Sequence, residues 1–320
     1  TQLTQDLIVT AIDVTKPIIS LSNTGPIYIL KGSPVVLPTV TAFDEQDGAI
    51  SSSVIVAGES MVDVNKTGTY QINYSVSDAA GNTANLSLNV VVEDFAFTLN
   101  GKAIDGYLTG STVIFDGKAD AEGFDGLHDL NRTIQTDGSG SFTLQLTPSE
   151  LSAFDLNNNN LLDASEGRII VAGGYDATLD NNFTGRYQTD ANSSVVSPLT
   201  SLSHALMKKG KTKAEAESLV LTILGIPESI DLSNYDPLAA LENGDEQAVH
   251  VLRQSTMLAN MIKHAGAFAN FLEPNDNHSR SVGLILMNEI AKDIASGVTD
   301  IFALENLENN LRKTVEKLDI

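Results

Sequence analysis

Apolar residues recur along this chain at two different periods, and the change from one to the other divides it. Up to residue 94 they fall in short runs: Ile27-Tyr28-Ile29-Leu30, Val35-Val36-Leu37, Tyr70-Gln71-Ile72-Asn73-Tyr74-Ser75-Val76 and Leu86-Ser87-Leu88-Asn89-Val90-Val91-Val92. The third alternates apolar with polar, as a strand does when one face lies in a core. Lys31-Gly32, Asp47-Gly48, Lys66-Thr67-Gly68 and Ala80-Gly81-Asn82 separate the runs and carry turn-forming residues. Short strands at this spacing predict a β-sandwich over residues 14–94. Residues 95–198 remain β-rich. Gly106 to Asp116 reads as a hairpin-like pair, Thr136-Asp137-Gly138-Ser139-Gly140 as a turn feeding a strand, and Ile169-Ile170-Val171-Ala172 as a strand ending at Gly173-Gly174.

After Pro198 the apolar spacing becomes three and four. Ser203–Met207, Lys213–Leu224, Glu246–Ala265, Gly283–Ser296 and Leu304–Leu318 are the expected helices of a bundle, punctuated by Gly210, Gly225-Ile226-Pro227 and Pro274. Thr212 and Glu215 have the spacing of a capping box, in which each side chain takes the other's backbone N–H. The expected organisation is multidomain, all-β plus all-α: a lead-in at 1–13, a sandwich at 14–94, a second sandwich-like β domain at 95–198 and an α-helical domain at 199–320.

Charge changes this picture. Nineteen Lys and Arg face 41 Asp and Glu, a formal net charge of −22. Such a field repels phosphate backbones and anionic lipid, so nucleic acid is excluded as a partner. Two causes fit the acidity, a surface suited to salty surroundings or carboxylates held together by divalent cations. The chain has no cysteine, which excludes disulfides and thiolate-ligated metals. No run of 18 apolar residues predicts a membrane span. Thr1 stands within what reads as a strand, so the chain is expected to belong to a larger protein.

Four stretches taken in order carry a resemblance: Asp13-Val14-Thr15-Lys16-Pro17-Ile18-Ile19, Ala42-Phe43-Asp44-Glu45-Gln46-Asp47-Gly48, Gly68-Thr69-Tyr70 and Val76-Ser77-Asp78-Ala79-Ala80-Gly81-Asn82-Thr83-Ala84. Residues 13–94 resemble the bacterial Ig-like repeats of large extracellular and surface proteins, which implies an architectural unit often strung in tandem. Leu7–Asp13 is similar to Leu88–Asp94, so residues 1–13 read either as the end of a preceding copy or as a linker strand of this one. Residues 95–198 are similar, more loosely, to prealbumin-like β domains of bacterial surface and secreted proteins. The helices, entered through Ser197-Pro198-Leu199 and turning at Tyr235-Asp236-Pro237, resemble the segment that follows such domains.

The sharpest chemical signal is Asp155-Leu156-Asn157-Asn158-Asn159-Asn160-Leu161-Leu162-Asp163-Ala164-Ser165-Glu166, which follows the twelve-residue EF-hand loop. Asp155, Asn157 and Asn159 would offer side-chain oxygens, Leu161 its carbonyl, Asp163 the ninth position and Glu166 a closing carboxylate. Asn160 replaces the usual glycine; asparagine tolerates the left-handed backbone needed there. The flanks allow two helical turns before the loop and a strand after it, so the loop would sit unpaired inside a β domain. A second acidic stretch, Asp116, Asp120, Glu122, Asp125 and Asp129, reads either as a calcium loop or as an exposed hairpin tip. Asp176, Asp180, Asn181 and Asn182 read first as a polar turn and second as a further calcium candidate. Asp44, Asp47 and Asp78 either meet at one pole of the sandwich or cap turns.

Catalytic patterns are missing. The five histidines include no pair at metalloprotease spacing, there is no Gly-x-Ser-x-Gly elbow, and no tryptophan is present to stack on sugars. Ser203-His204, on a helix, reads as packing. The expectation is a non-enzymatic, calcium-stabilised structural or adhesive module, secreted or on the cell surface, with Ca2+ as its cofactor. Its partners would be other copies or domains of the parent protein, or a surface polysaccharide or protein. The alternative is a non-catalytic, carbohydrate-binding or other accessory region of a secreted polysaccharide- or protein-degrading enzyme.

Overall fold

The computed structural model describes residues 12–117, 129, 130, 132–272 and 276–318. These fall into two compact units, one running to Ala96 and taking in Thr147–Ser149, the other made of Phe97–Leu146 and the chain from Glu150 onward.

The first unit has seven strands: β1 Ile18–Leu21, β2 Ile27–Leu30, β3 Val40–Asp44, β4 Gly48–Ala49, β5 Ile55–Ala57, β6 Gly68–Ser77 and β7 Thr83–Glu93. They form two sheets, ordered β1-β3-β4 and β2-β7-β6-β5, with β2 parallel to β7 and the other pairs antiparallel. The period-two pattern decides which face is buried. Ile72 and Tyr74 of β6 and Leu88 and Val90 of β7 point inward, and Ile72 stands opposite Leu88. Ile19 and Leu21 of β1 and Val40 of β3 close over them from the other sheet. Val35-Val36-Leu37, expected as a strand, pairs with nothing in a sheet, although Val35 and Leu37 still pack on the core and Val36 faces out. Pro34 and Pro38 bracket it, and neither has an N–H to give to a ladder. The strand expected over residues 7–13 lies, but for its last two residues, outside the described chain, and those two are not in a strand.

The second unit contains β8 Phe97–Ala103, β9 Leu108–Thr109, β10 Thr112–Gly117, β11 Ile134–Gln135, β12 Ser141–Leu146, α1 Pro148–Phe154, β13 Gly167–Ala172, β14 Tyr175–Asp176, β15 Asn181–Asn182, β16 Arg186–Asp190 and β17 Val195–Val196. Six helices follow: α2 Pro198–Met207, α3 Lys213–Leu224, α4 Pro237–Glu242, α5 Glu246–Leu272, α6 Asp276–Ala295 and α7 Leu304–Lys317. The strands make three sheets, β11-β10-β13-β16, β12-β8-β17 and β15-β14-β9. The hairpin expected within Gly106–Asp116 does not form. β9 pairs with β14 while β10 pairs with β11 and β13, and Gly110, at φ +62°, turns the chain between the two sheets.

No domain boundary falls at residue 198. Pro198 through Leu206 of α2 are all buried, and one apolar core runs from Phe115, Phe142 and Ile169 of the strands through Leu199, Leu202 and Leu206 to Leu258 and Ile262 of α5 and Leu286 and Ile290 of α6. A helix buried on every side needs neighbours on every side, which ties strands and helices into one cooperative body. α2 also begins five residues earlier than its apolar spacing suggested. Ser197 caps it by accepting the Thr200 N–H, and Pro198 occupies the first turn, where a missing N–H costs nothing. α3 begins at the expected capping box, with Thr212 N donating to Glu215 Oε2 at 2.8 Å and Glu215 N to Thr212 Oγ1 at 3.3 Å.

Candidate metal centre

The segment Asp155–Glu166 connects α1 to β13. α1 is held by Leu151 and Phe154, which point into the core, and Leu162 anchors the loop from its own middle, 2 % exposed. Around that anchor the alternate residues turn their polar groups on the loop itself. Asp155 Oδ1 accepts the Asn159 N–H at 3.1 Å and Oδ2 that of Asn160 at 2.7 Å. Glu166 Oε1 accepts from Leu156 N and Asn157 N, at 2.8 and 3.2 Å, and Oε2 from Asp163 N at 2.8 Å. The first and twelfth positions therefore clasp the loop from its two ends. Asn158 and Asn160 take left-handed backbone, φ +58° and +62°, so the residue in the usual glycine position adopts the curl required there.

The electrostatics are unusual for a surface loop. Asp155 is 5 % exposed and Glu166 2 %, and among the described residues no Lys, Arg or His forms an ion pair with either of them or with Asp163. The donors around them are backbone N–H groups, while the Asn157 and Asn159 side-chain amides both donate to Asp163 Oδ2, at 2.5 and 3.1 Å. Buried anions without a counter-charge are costly, and a cation is the usual remedy. The available ligands, Asp155, Asn157, Asn159, the Leu161 carbonyl, Asp163 and Glu166, are all oxygens, which suits calcium and not the nitrogen- and sulfur-seeking metals. The three carboxylates do not converge on one point in this geometry. The loop closes on its own N–H groups.

The other expected sites come out differently. Of the second acidic stretch, Asp120, Glu122 and Asp125 lie outside the described residues. Asp116 is fully buried and directly opposite Arg168 across β10 and β13, and its Oδ2 accepts from Arg168 Nε at 2.7 Å. Its charge is met by a guanidinium, whose Nη1 also donates to Gln188 Oε1 at 3.2 Å. Asp129 accepts the Gly117 N–H at 2.5 Å. Asp176, Asp180, Asn181 and Asn182 shape a hairpin: Asp176 accepts from Thr178 N and Leu179 N, Asp180 sits at φ +52° and accepts from the Tyr175 hydroxyl, and the asparagines form β15 against β14. Asp44 and Asp78 do come together at one pole of the first unit, with Asp13 and not Asp47 as the third carboxylate. Asp47 instead accepts the Ala79 N–H at 2.6 Å.

A cleft of about 250 Å3 lies where β14, β15 and β16 face α5, and no local sequence pattern points to it. Asp105, Asp176, Tyr187, Asn260 and Lys263 line it, residues spread over more than 150 positions. Burial pushes the Asp105 carboxyl up to about 6, against the opposing pull of the Tyr187 hydroxyl, which donates to it at 2.7 Å. The nearby Asp176 raises it further and Lys263 lowers it. Ser203 and His204 are buried in α2, and desolvation, with Lys208 and Arg168 adding to it, brings His204 down to about 3.

Among solved structures, a lipoprotein from Bacteroides thetaiotaomicron aligns at 15 % identity over 55 % of this chain and 75 % of its own, with a TM-score of 0.22. The M60 catalytic domain with the CBM51-1 and CBM51-2 domains of Clostridium perfringens ZmpB aligns at 18 % identity over 48 % of this chain and 14 % of its own, TM-score 0.23. The CBM51-2 and INT domains of the same protein, in complex with GlcNAc, align at 15 % over 76 % and 62 %, TM-score 0.21. Likenesses this distant leave the function to be read from the chain's own residues. No curated protein matches the chain. Residues 19–92 match the family described as bacterial surface protein, Ig-like domain, within the span 13–94 on which the sequence resemblance rested, so the first unit contains an Ig-like domain of the bacterial surface protein kind.

Proposed function

We propose that this chain is a non-catalytic structural or adhesive module of a bacterial surface or secreted protein, and that calcium bound in the loop at 155–166 stabilises its second unit. One observation carries the calcium reading. Two buried carboxylates, Asp155 and Glu166, clasp a twelve-residue loop with no cationic side chain paired to them among the described residues. Asn157, Asn159, the Leu161 carbonyl and Asp163 complete an all-oxygen set at alternate positions. Bound there, calcium would supply the positive charge the loop lacks. The chain's own groups would position it: Leu162 fixes the loop to the core, and the left-handed Asn158 and Asn160 bend the backbone between ligands.

The Ig-like match supports the surface assignment, since its family is defined on surface proteins. A loop without a paired partner is expected to bind weakly, on the order of 10⁻⁴–10⁻³ M, which suits millimolar calcium outside cells. The test is a calorimetric calcium titration of the chelator-stripped chain beside Glu166→Gln. Binding that Glu166→Gln removes from the second unit is the expected outcome. Equal binding by the two proteins would overturn the loop as a site.

A further inference from the structure

We propose that the first unit carries a divalent-cation site of its own, with Asp13, Asp44 and Asp78 as carboxylate ligands and calcium as the ion. One carboxylate oxygen from each of the three lies within 4.8 Å of the others. That limit has a physical meaning, because two oxygens each about 2.4 Å from one calcium ion can be no more than about 4.8 Å apart. Among the described residues this trio is the group of acids gathered so closely.

Asp44 supplies the second, independent observation. It is 2 % exposed; its Oδ1 accepts the N–H groups of Gln46 and Asp47, at 2.9 and 3.1 Å, while its Oδ2 is buried without a hydrogen-bond partner. A buried carboxylate with one oxygen bare, gathered with two more carboxylates, is costly unless a cation lies among them. None of the three acids has an ion pair among the described residues. Asp78, 7 % exposed, accepts the Asn82 N–H at 2.7 Å on Oδ1. Asn82 also fixes the geometry, since its Nδ2 donates to Asp78 Oδ2 at 2.8 Å and to the Asp13 carbonyl at 3.2 Å.

The ligands come from three places in the unit. Asp13 precedes β1, Asp44 ends β3 in one sheet, and Asp78 follows β6 in the other. A cation held by all three ties the two sheets together at one pole and fastens the lead-in segment to that pole. Oxygen-only ligands from carboxylates favour calcium over zinc or copper.

The experiment uses the full chain in the Glu166→Gln background, which removes the loop of the second unit and separates this proposal from the previous one. Calcium alone is titrated into chelator-stripped Glu166→Gln, then into the same protein carrying Asp44→Asn, Asp13→Asn or, as a control on an exposed turn elsewhere in the unit, Asp63→Asn. The expected result is one remaining site, weakened about tenfold or more by Asp44→Asn and by Asp13→Asn and unchanged by Asp63→Asn. Asp13 lies outside every strand, so its variant remains informative if Asp44→Asn fails to fold. No remaining site in Glu166→Gln, or a remaining site indifferent to both substitutions, overturns the proposal.

Discussion

The two units of this chain differ in the size of their cores, and the difference bears on how each can answer a buried charge. Among the described residues seven apolar side chains are buried in the first unit, Ala42, Ile72, Tyr74, Val76, Leu88, Val90 and Val92, four of them in one cluster, whereas the second unit's cluster holds forty. A large core can enclose an ion pair, as Asp116 and Arg168 show. A thin sandwich has no such interior. Its acids gather at one pole of the sheets, where a mobile ion can serve and a guanidinium would have to be packed. A large core allows a buried carboxylate to be answered by a side chain, as at Asp116, without requiring it, since Asp155 and Glu166 are buried in the same unit with no ion pair among the described residues.

The largest effects should separate the units. Asp116→Asn leaves the Arg168 guanidinium buried without its carboxylate, and breaking such a pair costs about 3–5 kcal/mol. The loss should appear in the helical circular dichroism signal, because α2, α3, α5 and α6 all contribute to the second unit's core. Ile72→Ala removes one of the four side chains of the first unit's central cluster, at about 2–5 kcal/mol, and should raise hydrogen exchange in β6 and β7 while leaving α2 to α7 protected. Parallel loss in both units from either substitution would mean that they unfold as one body.

Calcium sharpens the same comparison at a smaller scale. A ligand that binds only the folded chain adds about 2.7 kcal/mol at one hundred times its dissociation constant. Chelation should therefore lower the melting temperature, and in Glu166→Gln the helical signal should lose its share of that response.

How much of this could be read from the sequence follows from the range of each interaction. The alternation of β6 and the capping box at Thr212 are local patterns, and each has its expected form in the structure. Where several elements had to be brought together, spacing was silent. It paired Asp44 and Asp78 with the wrong neighbour, because Asp13 joins them from a segment more than 30 residues away. It offered Asp116 as a cation ligand, because the register that sets it opposite Arg168 spans 52 residues. It set a boundary at 198, because a change of period marks a change of secondary structure and says nothing of whether α2 is buried on all sides.

Acid offers a finer division within the second unit. His204 has its folded pKa brought down to about 3 by burial, so the unfolded chain takes the proton first. Its contribution is complete above about pH 6.5 and is lost as pH falls toward 3, about 2 kcal/mol of it by pH 5. Asp105, raised to about 6, works the other way: its burial cost is present above pH 6 and is relieved as pH falls from there toward 3.8. The two oppose each other over the same interval. His204→Asn should flatten or reverse the loss of stability between pH 7 and 5, and Asp105→Asn should steepen it. Denaturant midpoints at the two pH values read these slopes directly, independent of the fixed cost of either substitution. Slopes unchanged from the parent would show that neither group is buried in the charge state assigned.

The smallest expected effect tests the most local of the sequence readings. Thr212 caps α3 through its hydroxyl, which accepts the Glu215 N–H, while the Glu215 carboxylate takes both the N–H and the hydroxyl proton of Thr212. Those bonds from the threonine backbone and the hydrogen bonds at Thr212 hold the Glu215 carboxyl below its ordinary value. Thr212→Ala removes the cap and should cost about 1 kcal/mol, while Thr212→Ser should retain most of the stability. α3 packs on the shared core through Ala216, Val220, Leu221 and Leu224, so a frayed first turn should not release the helix. Hydrogen exchange confined to residues 213–216 is therefore the expected signature. Exchange spreading along α3 into α2 would mean that the cap, and not the apolar face, holds the helix in place, and the contrast drawn here between a large self-sufficient core and a thin one would weaken accordingly.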